Sequence, residues 1–396
     1  MIGITAACLF TRQGLRTALI DQNALAQWSP ETISPRVSAL NIASINLFKS
    51  LGVWESISNK RISSYTNMVV WEDESNASIS FDAASLSRPY LGCIVENCAI
   101  VDSIAEKLNQ NYHFEKFENT ALLNIEYADK GLALQLDNGS TLNCTLLVGA
   151  DGAQSRVREL SNIDTAFFDY DQEAIVTSVT LAQSHQDTAW QAFLPTGPVA
   201  LLPLDDGRCS IVWSCDRKYA EALLNLNEKE FCTRLSAIFE SQPGFITACS
   251  PRVHFPLRQH HAEQYISTNT ALIGDAAHIT HPLAGLGANI GFMDAASLSQ
   301  VVESATDRNL DISRQSVLRR YERWRKGENS LVLNTMKGFK ELFGSSLPAA
   351  RFTRQTGIGI VNRLPPLKNQ FARYAMGLAG DLPDNCKAAY SNQNGI

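Results

Sequence analysis

The stretch that most constrains this chain is "ALIGDAAHITHPLAGLGANIGFMDA", residues 271–295. It opens as a short apolar strand that ends on Gly274 and the carboxylate of Asp275. A strand apolar on both faces belongs inside a parallel sheet, and ligands collect at the carboxyl ends of such strands. Pro282 and the glycines Gly285, Gly287 and Gly291 then let the backbone approach a flat ligand before a helix starts near Gly287. Amides at that helix N-terminus, backed by the helix dipole, favour negative charge on a bound group. Turn punctuation alone does not call for an aspartate, a proline and three spaced glycines in one loop.

Two further segments repeat the theme. "LLVGADGAQSRVREL" (146–160) runs an apolar strand into Asp151 and Gly152, with Ser155, Arg156 and Arg158 close behind. Asp-Gly is also ordinary tight-turn chemistry, so taken alone this is either a ligand-facing strand end or a plain turn. The chain opens "MIGITAACLFTRQGLRTALIDQ": a helix over 1–14 broken by Gly14, then a strand over 16–21 that ends on Asp21. Dinucleotide sites use G-x-G-x-x-G between a strand and a helix, with an acidic residue at the end of the second strand. Met1-Ile2-Gly3 supplies only the last x-x-G, and Asp21 stands 18 positions after Gly3. A helix, a strand and a terminal aspartate also arise with no cofactor at all.

The rest of the chain fills in an α/β architecture. "SALNIASINLFKSLGVW" (38–54) has helical apolar spacing, "TNMVVWEDESNASISFD" (66–82) reads as a hairpin, and "ENCAIVDSIAEKLNQN" (96–111) as a helix. Residues 121–152 give three β segments separated by "DKG" and "DNGS" turns. From about 165 to 256 alternating strands and the helix "NEKEFCTRLSAIFES" suggest an antiparallel sheet inserted into the nucleotide-binding half, and 314–380 is largely helical. The implied division is a nucleotide-binding domain from 1–70, 90–164 and 266–340, a sheet domain from 71–89 and 165–265, and a C-terminal helical segment, 341–396.

Composition narrows the function classes. A net charge of −6 argues against general nucleic-acid binding. Nine cysteines with no CxxC pair and no Cys/His cluster suggest neither a metal site nor a redox pair, and they suit a reducing cytoplasm. No apolar run approaches the roughly 18 residues of a membrane span, and the N-terminus has no signal-peptide pattern.

Taken together, the three motifs resemble the group A FAD-dependent aromatic monooxygenases. Within them, "RVSALN", "DGAQSRVRE", "WQAFLPTGPVALLPL", "GDAAHITHPLAGLGANIGFMDA" and the tail "YERWRKGEN…LPPLKNQFARYAMGLAG" look like the ubiquinone-biosynthesis hydroxylases of the UbiH/UbiF/UbiI/VisC type, over nearly the whole chain. The resemblance implies a glutathione-reductase-type Rossmann domain that binds FAD, an inserted mixed or antiparallel substrate sheet, and C-terminal helices. It implies that NAD(P)H reduces FAD, that O2 gives a C4a-hydroperoxyflavin, and that one hydroxyl is placed on the ring of a polyprenyl phenol or quinol. Carried over residue by residue, Gly3 matches the third fingerprint glycine, Asp21 the ribose-binding acid and Arg36 the arginine that contacts FAD. Asp151 and Gly152 match the DG motif, while Gly274 and Asp275 match the GD motif at the ribityl–pyrophosphate region. Pro282 and Gly285 to Asn289, including Gly287 and Ala288, match the loop whose amides face the isoalloxazine N1–C2=O edge. The cofactor carries the chemistry, so neither a nucleophile nor a metal is expected. Gln191, Phe193, Pro195 and Leu202 are expected to face the flavin from the substrate sheet; His281, beside Pro282, either assists proton transfer or is a hydrogen-bonded loop histidine.

Two departures stand out. Leu286 and Met293 replace a polar residue and an arginine usual in the family's loop, though both leave the backbone amides available. The larger one is the opening: in this fold the first strand lies between the second and fourth, and its turn carries the first two glycines. The expectation is that Met1 falls inside such a turn and that roughly ten residues, an apolar strand and glycines, precede it in the functional protein. Between Leu342 and Gly380 five basic residues (Arg351, Arg354, Arg363, Lys368 and Arg373) and no acidic ones lie among apolar side chains. That segment is either an amphipathic cap on the core or a peripheral contact with an anionic inner-membrane surface, where other ubiquinone-biosynthesis proteins would gather. Two other readings stay open: a different FAD oxidoreductase on this scaffold, and a non-catalytic member if FAD is not bound.

Overall fold

The computed structural model describes residues 1–73, 78–129, 131–239, 243–279, 285–344 and 365–387. The chain begins with the helix Ile2–Arg12, whose face Ile4–Thr11 is buried against the helices Asn97–Leu108 and Gly287–Thr306. Small residues such as Ala6 and Ala7 make that close packing possible, and Gly291 shows why. A Cβ placed there would lie 2.9 Å from the Ile2 side chain.

The sheet beside this helix comes in two pieces. Thr17–Ile20 pairs in parallel with Phe114–Phe117, and Leu147–Gly149 pairs in parallel with Thr270–Leu272, which Ile266–Ser267 extends antiparallel. No ladder joins the two pieces among the described residues, so Thr17–Ile20 and Leu147–Gly149 are each paired on one side only. Both lie on the same helix residue: a Cβ at Gly3 would be 3.2 Å from Ala150 Cβ and 3.8 Å from Leu19 Cδ1. Two parallel edges thus flank the start of the first helix, where a doubly wound sheet has its innermost strand.

A second sheet of nine strands forms the other half. Its order is His278–Ile279, Val253–Ala262, Thr165–Leu181, Cys209–Asp216, Gly197–Pro203, Thr188–Leu194, Asn67–Glu72 and Ser78–Asp82, with Ile246–Cys249 added to the long strand. All its ladders are antiparallel except Thr188–Leu194 with Asn67–Glu72, so the sheet is mixed. One face is covered by the helices Arg217–Asn225 and Glu228–Ile238, which bury Ile175, Val179, Trp190, Leu201 and Trp213 against Phe231 and Leu235. The second helix starts with a capping box, in which Asn227 and Glu230 satisfy each other's backbone amides. The other face turns toward the nucleotide-binding half, whose core takes in Met68 and Phe81.

Local structure departs from the sequence-based expectations in three places. "SAL" is extended, not helical: Val37–Leu40 pairs with Cys93–Glu96, and the helix begins only after Asn41, whose side chain accepts the Ser44 amide at 3.0 Å. "TLNCTLLVG" is two strands, because Thr141–Cys144 closes a hairpin while Leu147–Gly149 enters the parallel sheet. Arg217–Asn225 is a helix that short amphipathic spacing did not announce. Helices also run over Gln315–Gly344 and Pro365–Ala375.

Candidate active site

Gly274–Ala276 forms a single 3-10 turn after the strand Thr270–Leu272, with Gly274 at φ +58°. Its neighbours are buried, but Asp275 itself is exposed. Desolvation by the surrounding protein raises its carboxyl above the ordinary value, against the pull of His278 and the Met1 amino group. Asp21 and Asp275 both act on that amino group, which puts the two carboxylates around the start of the first helix. Asp21 ends its strand as expected, its backbone amide bonded to Phe117 at 2.9 Å.

The loop after the turn is clamped at two points. Asn289 is the first: its carbonyl oxygen accepts the Asn41 amide at 2.9 Å and the Ser44 hydroxyl at 2.8 Å. Its NH2 donates to Ala39 at 2.8 Å and Gly285 at 3.2 Å. All four hydrogen-bonding positions of the amide are used. Asn289→Asp replaces the two donations with a carboxylate facing two carbonyls, and is expected to cost about 2–4 kcal/mol in urea unfolding. A loss below about 0.5 kcal/mol would show that the clamp is slack.

The second clamp is Asp294. Its Oδ2 accepts the Gly274 amide at 3.0 Å and His278 Nε2 at 2.5 Å. Its Oδ1 accepts Arg325 Nε at 2.9 Å and Asn329 Nδ2 at 3.1 Å. Burial alone would raise this carboxyl; His278 and Arg325 outweigh it and hold the group well below the usual carboxylate range. One buried anion thus ties the turn, the cofactor-loop helix and the C-terminal helix together. Tyr321, also on the C-terminal helix, donates to Leu272 at 2.6 Å.

Between the clamps, Gly287–Thr306 begins with no side-chain cap, and its first intrahelical bond to an amide is Ile290 to Leu286. The amides of Gly287, Ala288 and Asn289 therefore have no helical partner. Gly285 takes φ +61°, a conformation that a side chain resists. His281, Pro282 and the rest of 280–284 lie outside the described residues.

Asp151 accepts Ser155 Oγ at 2.5 Å and the Val157 amide at 3.0 Å, at the start of the short helix Arg156–Leu160 whose N-cap is Ser155. Gly152 supplies the φ of +84° that the turn needs. Arg158 links this turn to the other one, donating to Ala153 and Ala276, both at 2.8 Å. Arg36 is exposed, and its guanidinium makes no hydrogen bond or ion pair among the described residues. Its loop is held from below by two residues that sequence reasoning missed. Glu96 accepts the Ser34 amide at 2.6 Å and Arg61 Nε at 2.8 Å, and Arg61 in turn donates to Ser29, Pro30 and Thr32 carbonyls.

His260 donates from Nε2 to the Asp275 carbonyl at 2.8 Å. Desolvation, then the Arg158 charge, lower its pKa to about 4; desolvation and His278 bring His261 to about 4 as well. Both are neutral in the folded protein, while the unfolded chain takes up their protons below about 6.5. Stability is therefore full above about pH 6.5 and falls as pH is lowered toward 4, by up to about tenfold in the folding equilibrium per pH unit for each histidine. Urea midpoints across that window check this, and a flat profile would contradict it.

On the substrate sheet, strand parity sorts the expected residues. Trp190, Ala192, Val199 and Leu201 belong to the helix-covered core. Gln191, Phe193 and Leu202 therefore point to the opposite face, toward the nucleotide-binding half, whereas Pro195 lies just past the strand end.

These features fit the ribityl and isoalloxazine portions of FAD: an exposed carboxylate, helix amides with no helical partner, and an arginine with no partner among the described residues. The "FAD binding domain" family matches residues 1–326. The chain is 34% identical over 389 residues to the ubiquinone biosynthesis monooxygenase COQ6, mitochondrial, of Danio rerio, covering 87% of this chain and 80% of that protein. It is 33% identical to the 3-demethoxyubiquinol 3-hydroxylase of Escherichia coli strain K12, covering 96% of each. Among solved structures, p-nitrophenol 4-monooxygenase PnpA from Pseudomonas putida superposes with a TM-score of 0.77 at 18% identity, over 96% of each chain, and shares the fold. The chain belongs to the FAD-binding-domain family, among the flavin-dependent monooxygenases that include the ubiquinone-biosynthesis hydroxylases.

Proposed function

We propose that the protein hydroxylates the aromatic ring of a polyprenyl phenol or quinol on the route to ubiquinone, using O2 and electrons from NAD(P)H. The observation that carries this reading is the exposed Asp275 carboxylate on a turn packed against the helix Gly287–Thr306, whose N-terminus has no side-chain cap. Bound FAD would supply the electron transfer to O2 and the activated oxygen. Asp275 would hold the ribityl hydroxyls of FAD, Asp21 its adenosine ribose and Arg36 its phosphates. The Gly287–Asn289 amides would favour negative charge on the flavin ring. Gly3, Asp151 and Gly152 shape the approach of the backbone. Gln191, Phe193 and Leu202 orient the substrate ring and keep water away, and His281 next to Pro282 moves the phenolic proton. The basic C-terminal segment brings the protein to an anionic membrane that holds the substrate. No helix of the described residues is long and apolar enough to cross a membrane.

A second reading is a non-catalytic member, which applies if FAD is not bound. Flavin content decides between them. The hydroxylase reading expects a yellow protein, or one that takes up added FAD, that oxidises NAD(P)H faster when a prenylated phenol is present. A colourless, stable protein that ignores added FAD would sink it. Vesicle co-sedimentation that weakens with salt is expected for the membrane contact, and salt-independent absence of binding would remove it.

A further inference from the structure

The helix Glu228–Ile238 lies along the strand Ile246–Cys249, and two hydrogen bonds fix its position there. Ser236 Oγ accepts the Ile246 amide at 2.9 Å, and Glu228 Oε1 accepts the Cys249 amide at 3.0 Å. Glu228, Cys232 and Ser236 stand four residues apart on one helix face, so Cys232 is held between the two anchors. Cys249 pairs directly with Val179 of the long strand, whose side chain lies in the helix-covered core. Directly opposed residues share a face, so Cys249 points at the same helix. The sulfurs meet there, the Cys232 thiol donating to the Cys249 sulfur. Seventeen positions separate the two in sequence, so no short motif announces the pair.

The two thiols differ in access and charge. Cys232 is 4% exposed, whereas Cys249 is half-buried and open to a small oxidant. Desolvation pushes Cys232 up to about 12 and raises Cys249 as well. The Cys232 hydrogen bond favours the Cys249 thiolate; Arg252 favours both thiolates and Glu228 opposes both.

We propose that Cys232 and Cys249 form a peroxide-reactive dithiol that closes to a disulfide between this helix and the sheet. The Cys249 thiolate attacks hydrogen peroxide: an S–O bond forms, the O–O bond breaks, and the proton Cys249 gave up leaves in the first water. Cys232 then attacks the sulfenic sulfur: the S–S bond forms, the S–O bond breaks, and the Cys232 proton leaves in the second water. Two thiols give up two electrons and one peroxide takes them; a thiol reductant reverses the link. The inference goes beyond the hydroxylase reading and does not rest on it.

The test treats the protein with hydrogen peroxide, alkylates it and maps the cysteines by mass spectrometry. One linked peptide pair is expected, Cys232 with Cys249, lighter by two hydrogens and opened by dithiothreitol. Its rate is expected to rise about tenfold per pH unit between about pH 7 and 9, as the attacking thiolate fraction does. Closing the loop is expected to favour folding by about a hundredfold over the reduced protein. Cys232→Ser is expected to stop at a Cys249 sulfenic acid that dimedone traps, while Cys249→Ser leaves Cys232 open to alkylation. Full alkylation of both cysteines after peroxide overturns the proposal. So does a link through another cysteine, sulfinic acid at Cys249 with no link, or Cys232 oxidation as fast in Cys249→Ser as in wild type.

Discussion

Asp294→Ala is expected to lower unfolding stability by about 3–5 kcal/mol and to loosen FAD by more than tenfold. The carboxylate is fully buried and Arg325 is 5% exposed, so removing the anion strands a guanidinium without solvent or counter-charge. It also frees the Gly274 amide and His278, the two groups that fix the turn carrying Asp275. Asp294→Asn keeps the shape and loses the charge, so it falls between wild type and alanine. Removing both charges with Asp294→Ala/Arg325→Met is expected to recover part of the stability, because no buried cation remains, but not the FAD affinity, because the turn is still unheld. Urea unfolding and FAD titration read the two effects apart. A loss under about 1 kcal/mol would show that the network is solvated and not a clasp.

The second large effect concerns the divided sheet. Fusing an apolar strand of about five residues and a Gly-x-Gly turn ahead of Met1 is expected to pair with Thr17–Ile20 on one side and Leu147–Gly149 on the other. Burial of its side chains at about 1.5–3 kcal/mol each outweighs an ordering cost of about 1–2 kcal/mol per residue by a few kcal/mol. Two turn amides aimed at phosphate oxygens add charge-assisted bonds of about 1.5–3 kcal/mol each, so FAD binding should tighten on the order of a hundredfold. Slower amide exchange at Leu19 and Val148 would locate the new strand between the two edges. Unchanged exchange, Tm and FAD affinity would mean that the edges are not a receiving slot.

Much of this site was legible because its signals are local. An apolar run ending in Gly274-Asp275, followed by spaced glycines, states its own strand, turn and helix within a few residues. Asp21 and Asp151 were legible as strand ends for the same reason, but their uses were not. That Asp151 also accepts Ser155 Oγ and the Val157 amide, and so steadies the helix that Ser155 begins, is not written in the Asp-Gly pair. The clasp was not legible, since Asp294 meets Arg325 and Asn329 from another helix, 31 and 35 positions away. Glu96 reaches the Ser34 amide across 62 positions. Bonds of this kind depend on how helices and loops cross, which periodicity does not record. The extended Val37–Leu40 was missed because helical apolar spacing continues through it; the Asn41 cap and the pairing with Cys93–Glu96 decide the matter. Parity, by contrast, was legible in retrospect: alternation alone puts Gln191, Phe193 and Leu202 on the face opposite Trp190 and Leu201.

The central claim is that this chain holds FAD and delivers one oxygen atom from O2 to a phenolic ring. Its most direct test is mass spectrometry of a prenylated phenol after turnover by FAD-loaded protein with NAD(P)H under isotopically heavy dioxygen. The account predicts a product heavier by one heavy oxygen atom, formed in parallel with NAD(P)H oxidation and lost in Asp275→Ala. NAD(P)H oxidation with no labelled product, or a product whose new oxygen comes from water, would contradict it.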